Sequence, residues 1–140
     1  MSDASKPELV YVTEIRATPE QVWQALTDPA FTERYWYGTR LESDWRVGSP
    51  ILFRKPQGEP DEGTVLVADR PRKLAFTWQV NFEPLKGERA SRVTFTIEPQ
   101  GDGVKLTTVH DDFDPGSKVF EAMKGGWLGI LPGLKKALEG

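Results

Sequence analysis

His110 is the only histidine in the chain, and it stands in KLTTVHDDFD, next to Asp111, Asp112 and Asp114. An imidazole with three carboxylates is a competent set of metal ligands. The spacing argues against that use. His110 and Asp111 are neighbours in an expected strand and point to opposite faces. Asp112 and Asp114 suit the turn and cap that would precede a helix. No metal site is therefore expected. Without a metal, an inward His110 beside Thr108 is a polar anchor for a ligand, or a candidate general base. The plainer reading is a core histidine satisfied by backbone partners, or a strand-end residue turned to solvent.

Other chemistry is thinner. Glu14 and Arg16 share a strand face, a spacing more typical of a solvated surface pair than of a site. The glycines of GDG (101–103) and GGWLG (125–129) lack the strand, helix and lysine context of a phosphate loop. No GxSxG elbow occurs, and one histidine leaves little material for a nucleophilic triad. The chain has no cysteine, which removes disulfides, thiolate metal sites and cysteine nucleophiles and fits a reducing compartment. No cofactor is expected.

The 140 residues fit one domain. Net charge is −3, so nucleic acid is not an expected partner. The opening MSDASKPE is too polar for a signal peptide, and no apolar run is long enough to span a bilayer. A cytoplasmic protein without stable membrane insertion is expected, with residues 1–8 as a disordered lead-in and 9–140 as the domain. The aromatic content is the unusual feature: five tryptophans, seven phenylalanines and three tyrosines make up 11% of the chain.

The elements that must position these rings are readable from period. LVYVTEIRA (9–17) is an expected strand with Tyr11, Thr13 and Ile15 on one face. TPEQVWQALTDP carries a helix start, with Thr18 as cap, Pro19 in the first turn and Gln21 placed to close a capping box. A second short helical turn follows from Pro29 to about Tyr35. Expected strands then cover 39–46, 50–55, 63–70, 73–80, 91–98 and 103–111. In KLAFTWQV and RVTFTIE, Leu74, Phe76, Trp78, Val93, Phe95 and Ile97 alternate with smaller or polar residues, the pattern of a sheet with one buried face. From Ser117 to Leu138 the period becomes helical through Phe120, Met123, Trp127, Leu134 and Leu138. Pro132 is expected to kink this helix or split it in two. The fold class is α+β, a curved antiparallel β-sheet wrapped around a long C-terminal helix.

Five segments, IRATPEQVWQALTDP, YWYGTRLESDWRVGSP, GTVLVADRPRKLAFTW, KLTTVHDDF and GGWLGILPGLKKALE, occur in this order. Together they closely resemble the family of homologues of the activator of the heat-shock-protein-90 ATPase. That family belongs to the START-like, or SRPBCC, superfamily. The resemblance spans about residues 9–139 and implies the helix-grip fold, with a cavity between sheet and helix that in many relatives holds an apolar ligand.

On that basis the surplus rings become candidate cavity residues: Tyr11, Trp36, Phe53, Phe76, Trp78, Phe95, Phe120, Met123 and Trp127, with Thr108 and His110 as polar anchors. Tyr35, Trp36, Tyr37 and Trp45 are expected near the cavity mouth. The leading expectation is a non-enzymatic binder of an apolar or aromatic small molecule or lipid, monomeric or weakly dimeric. One rival is a cyclase- or hydrolase-type enzyme using His110. The other is a chaperone-interacting protein with an exposed apolar patch and a filled interior.

Overall fold

The computed structural model describes residues 7–140, so most of the expected lead-in lies outside the described residues. The elements are β1 (Leu9–Ile15), α1 (Pro19–Thr27), α2 (Pro29–Tyr35), β2 (Arg40–Ser43), β3 (Pro50–Arg54), β4 (Asp61–Asp69), β5 (Lys73–Trp78), β6 (Ser91–Gln100), β7 (Gly103–Asp111) and α3 (Lys118–Glu139). The strands form one antiparallel sheet in the order β1-β7-β6-β5-β4-β3-β2. Strand β1, first in the chain, therefore closes against the last strand, and the two helices that follow it cross to the other edge. The sheet is curved and open, and α3 lies along its concave face. This is the helix-grip arrangement.

Local chemistry explains the boundaries. The capping box of α1 is formed: the Gln21 amide donates to Thr18 Oγ1 at 3.1 Å, and the Thr18 amide donates to Gln21 Oε1 at 2.9 Å. Asp28 ends α1 and caps α2, accepting from the Ala30 amide. Ser117 caps α3, its hydroxyl accepting from the Phe120 amide. Strand β2 is shorter than expected because Trp45 takes a positive φ of 57° and its amide turns to the Ser43 hydroxyl. Strand β4 begins earlier than expected, at Asp61, and an isolated bridge between Glu62 and Gln79 extends its pairing with β5.

The expected break at Pro132 does not occur; α3 is one helix of 22 residues. Proline removes a donor to the carbonyl four residues earlier, here that of Leu128. Both Pro132 and Leu128 lie on the exposed side of α3, where solvent can serve the freed carbonyl. Ile130, Leu131 and Leu134 are buried on either side of the proline and hold both halves to the core.

Alternation places the core as expected. Leu74, Phe76, Trp78, Val93, Phe95 and Ile97 are buried on the concave face with Leu106, Thr108 and His110 of β7. Val10 and Val12 of β1 point outward and are exposed. At the far end of β1, Lys135 Nζ donates to the Glu14 carbonyl and the Arg16 amide to the Glu139 carboxylate. Glu14 and Arg16 thus tie β1 to α3 rather than pairing with each other.

One position depends on the absence of a side chain. A Cβ on Gly63 would lie 1.9 Å from the Thr77 carbonyl oxygen in β5 and 3.3 Å from the buried Phe53 ring, and the β5 backbone cannot yield without moving the strand. Gly63→Ala is expected to destabilise the fold by about 3 kcal/mol through forced strand separation. Urea unfolding should show a lower midpoint at an unchanged slope; an unmoved midpoint would mean that the β4–β5 contact is not close-packed there.

Candidate functional site

Strand β7, between β1 and β6, supplies one row of the concave face. Thr108 pairs with Tyr11 of β1 on one side and Phe95 of β6 on the other; His110 likewise lies between Leu9 and Val93. Helix α3 brings Trp127 over this row. Trp36, at the end of α2, comes in from the opposite side, 5.5 Å from Trp127 and 5.8 Å from Trp78 between ring centroids.

The rings form a continuous cluster. Phe53 stacks on Trp78 at 5.1 Å, and the other face of Trp78 stacks on the His110 imidazole at 5.7 Å. Phe76 meets Phe53 at 5.8 Å and Phe95 at 6.1 Å. Phe113 covers His110 at 4.5 Å and reaches Phe120 at 5.2 Å. Offset and edge-to-face contacts of this kind add to the area each ring buries. Trp36, Phe53, Phe76, Trp78, Phe95, Thr108, His110 and Trp127 are all buried, whereas Tyr11, Phe120 and Met123 are half-buried. The four aromatic residues expected near an opening separate. Tyr35 and Trp36 sit inside the core, Trp45 is half-buried, and Tyr37 is 62% exposed.

The hydrogen bonds of His110 fix its proton. The Trp127 indole N–H can only donate, and it points at His110 Nδ1 at 3.0 Å. Nδ1 is therefore the acceptor, and the neutral ring carries its hydrogen on Nε2. That hydrogen is donated to Ser91 Oγ, 2.7 Å away. The Ser91 hydroxyl donates onward to the Trp78 carbonyl at 3.4 Å. Burial drives the His110 pKa down to about 3, opposed in part by the charge of Asp111 on the other face. His110 is thus a satisfied core histidine, held by side chains rather than by the expected backbone partners. Both nitrogens are engaged, so an acid–base role would first require one of these bonds to open.

Asp61 anchors the other end of Trp78. Its Oδ2 accepts from the Trp78 indole at 2.9 Å, while Oδ1 accepts from Lys55 Nζ at 2.9 Å and from the Asn81 amide at 2.8 Å. A buried carboxylate needs such partners. Trp78 is therefore fixed at its edge by Asp61 and on its faces by Phe53 and His110. Thr108 is different. Its Oγ1 is buried with no hydrogen-bond partner, and such a hydroxyl costs about 1–3 kcal/mol.

Sequence reasoning missed Ser91, Asp61 and Phe113. Ser91 is in phase with Val93, Phe95 and Ile97, so its inward direction was available from period. Asp61 and Phe113 lie in turn-like segments, PQGEPDEG and HDDFD, where polar punctuation masks a buried residue. Asp111, Asp112 and Asp114 do not gather around His110. Asp111 forms a two-bond pair with Arg92 on the outer face, and Asp112 and Asp114 meet Arg89. Among the described residues no group of three or more metal-ligating side chains is assembled. An open polar cleft of about 360 Å³ lies at the opposite end of β1, lined by Glu14, Arg16, Asp102, Lys135 and Glu139 among others.

A curved sheet, a gripped C-terminal helix and a ring-filled interior agree with the family match, which covers residues 16–139 under the description Activator of Hsp90 ATPase homolog 1-like protein. The chain belongs to this family. Among solved structures, protein MLL2253 from Mesorhizobium loti is 25% identical with a TM-score of 0.82, over 95% of this chain and 97% of that one. The Aha1 dimer from Colwellia psychrerythraea is 21% identical with a TM-score of 0.78, over 95% and 96%. CalU16 from Micromonospora echinospora is 24% identical with a TM-score of 0.75, over 94% of this chain and 75% of its own. No curated protein sequence matches the chain. Membership in the activator-homologue family places it in the START-like superfamily expected from its motifs. Among the described residues no helix is long and apolar enough to cross a membrane.

Proposed function

We propose that this member of the activator-homologue family is a binding protein for a small apolar or aromatic molecule, taken up between the sheet and α3. The observation that carries the reading is the Thr108 hydroxyl, buried in a ring-lined interior with no partner of its own. A ligand oxygen placed there would satisfy it. The interior offers neutral surface and no free charge, so the ligand class is a largely apolar molecule with one hydroxyl or carbonyl. Tyr11, opposite Thr108, reaches the Lys124 carbonyl of α3 at 3.4 Å. Room would come from movement of half-buried side chains on α3, Met123, unbranched and readily repacked, and Phe120. The working assembly is a monomer or a weak homodimer.

The test is a fluorescence titration with fatty acids, sterols and flat aromatic alcohols, on the wild type and on Thr108→Val. The variant is expected to be about 1 kcal/mol more stable, since a buried unpaired hydroxyl is removed, and to bind about 3- to 10-fold more weakly. A variant that gains stability and binds equally well would remove Thr108 from the site. No response to any compound would contradict the reading.

A second reading, contact with a chaperone, draws on exposed apolar surface. Tyr37 and Leu128 are 62% and 64% exposed, and the Tyr37 hydroxyl donates to the Gly126 carbonyl of α3. If this surface serves a chaperone, the purified protein should raise ATP hydrolysis by an Hsp90-class protein, and Tyr37→Ser with Leu128→Ser should abolish the increase. An unchanged ATPase rate counts against it.

A further inference from the structure

Residues 79–90 join β5 to β6; Val80 is buried, and none of residues 81–90 is. Within 81–90, Leu85 is the apolar side chain that packs against the core. The start of the segment is pinned, with the Asn81 amide on Asp61 and the Asn81 side chain on the Pro60 carbonyl. Phe82 lies under Lys55 Nζ at 4.5 Å and the Glu88 carbonyl accepts from the Gln79 side chain; the remaining polar contacts of its middle and end go to the start of α3 and the turn before it. The Glu88 carboxylate accepts from the Ser117 hydroxyl and from the Lys118 amide at 2.7 Å, at the end of the helix where backbone N–H groups lack partners. The Arg89 amide donates to Asp114 Oδ2 at 2.8 Å, and its guanidinium to Asp112 Oδ1 at 2.9 Å and the Phe113 carbonyl at 3.2 Å.

These contacts close one end of the interior. Beneath the turn that the segment grips, Phe113 covers His110, and His110 holds Trp127. Further along α3, Ile130 and Leu134 are buried against the core. The Arg89–Asp112 pair is more than half exposed on both sides. Exposed pairs of this kind add little and are screened by salt. A segment with little buried apolar surface, held in part by such contacts, opens locally at lower free energy than the strands it joins.

We propose that residues 81–90 form a lid, latched by Glu88 on the first turn of α3 and by Arg89 on Asp112 and Asp114, whose opening uncovers the aromatic end of the interior. The lid rests on the ligand reading only for what passes beneath it; its opening is measurable without a ligand.

Hydrogen exchange read by mass spectrometry tests it on the whole protein. In Glu88→Ala with Arg89→Ala, amides of 82–90 and of the first turn of α3 should exchange about 10-fold faster than in the wild type, with β6 and β7 unchanged. Raising salt from about 50 mM to about 1 M should move the wild type in the same direction and the variant little. Because the chain contains no cysteine, a staple of Arg89→Cys with Asp114→Cys adds the only thiols. Its oxidised form should slow exchange of the segment, and reduction should restore it. Equal rates in wild type and variant would overturn the lid, as would acceleration spread over the whole sheet. Uptake of anilinonaphthalene sulfonate, followed in the same samples, should be slower in the stapled form; equally fast uptake would overturn the lid as an entrance. No uptake by any form, with exchange responding as expected, would count against the ligand reading and support the lid.

Discussion

Trp127→Ala is expected to remove most of the protein's stability. Trp127 is fully buried and its ring meets those of Trp36, Phe95, Trp78 and His110. Truncating such a ring costs about 3–5 kcal/mol in cavity and lost contact, against a total of about 5–15 kcal/mol for a domain. The variant also strands His110 Nδ1 without its donor. Chemical denaturation should therefore show a midpoint far below that of the wild type. Trp127→Phe separates the two effects, keeping an aromatic ring in place while removing the indole N–H. It is expected to lose about 1–3 kcal/mol for the buried unpaired nitrogen, on top of the smaller ring. If Trp127→Phe were as stable as the wild type, the His110–Trp127 bond would contribute nothing, and the proton assignment on His110 would lose its basis.

The second large effect is with acid. His110 has its pKa lowered by burial to about 3, from an ordinary value of 6.5. The unfolded chain therefore binds a proton that the folded chain refuses. The stabilisation is fully present above about pH 6.5 and is lost as pH falls toward about 3, at about 1.4 kcal/mol per pH unit. Between pH 7 and pH 4 the loss attributable to His110 is about 3 kcal/mol. His110→Gln provides the comparison, since its amide oxygen can accept from Trp127 and its amide nitrogen can donate to Ser91, yet it does not titrate. It should be less stable than the wild type at pH 7 and show a shallower decline toward pH 4. Parallel decline of the two proteins would show that carboxylates alone govern acid unfolding, and that His110 is reached by water in the folded state.

Much of this fold can be read without coordinates because local and long-range preferences agree. Thr18, Pro19 and Gln21 specify the start of α1 by themselves, and the phase of Leu74, Phe76 and Trp78 is the same in the strand and in the core. Reading fails where one residue answers to two demands. Asp61 looks like a turn residue because its neighbours are Pro60, Glu62 and Gly63; its burial is set by Trp78 and Asn81, 17 and 20 residues away in sequence. Pro132 looks like a helix breaker, and local propensity says as much. The apolar contacts of Ile130, Leu131 and Leu134 outweigh it, and the proline sits on the exposed side of the helix. Trp36 reads as a rim residue because it follows a short helix in an irregular stretch, whereas the return of α2 toward the sheet carries it between Trp78 and Trp127. For the candidate site, the inward row of Phe95, Thr108 and His110 was legible from period. That both His110 nitrogens are engaged while the Thr108 hydroxyl stands alone was not, since these states depend on partners brought by α3 and β6.

The most direct measurement is native mass spectrometry of the protein as purified from cells, wild type and Thr108→Val side by side. A ligand held in the interior predicts one small molecule retained per wild-type chain, released on denaturation, and markedly less of it on the variant. Equal retention by both proteins, or the bare polypeptide mass from both, would contradict a binding site built around Thr108 between the sheet and α3.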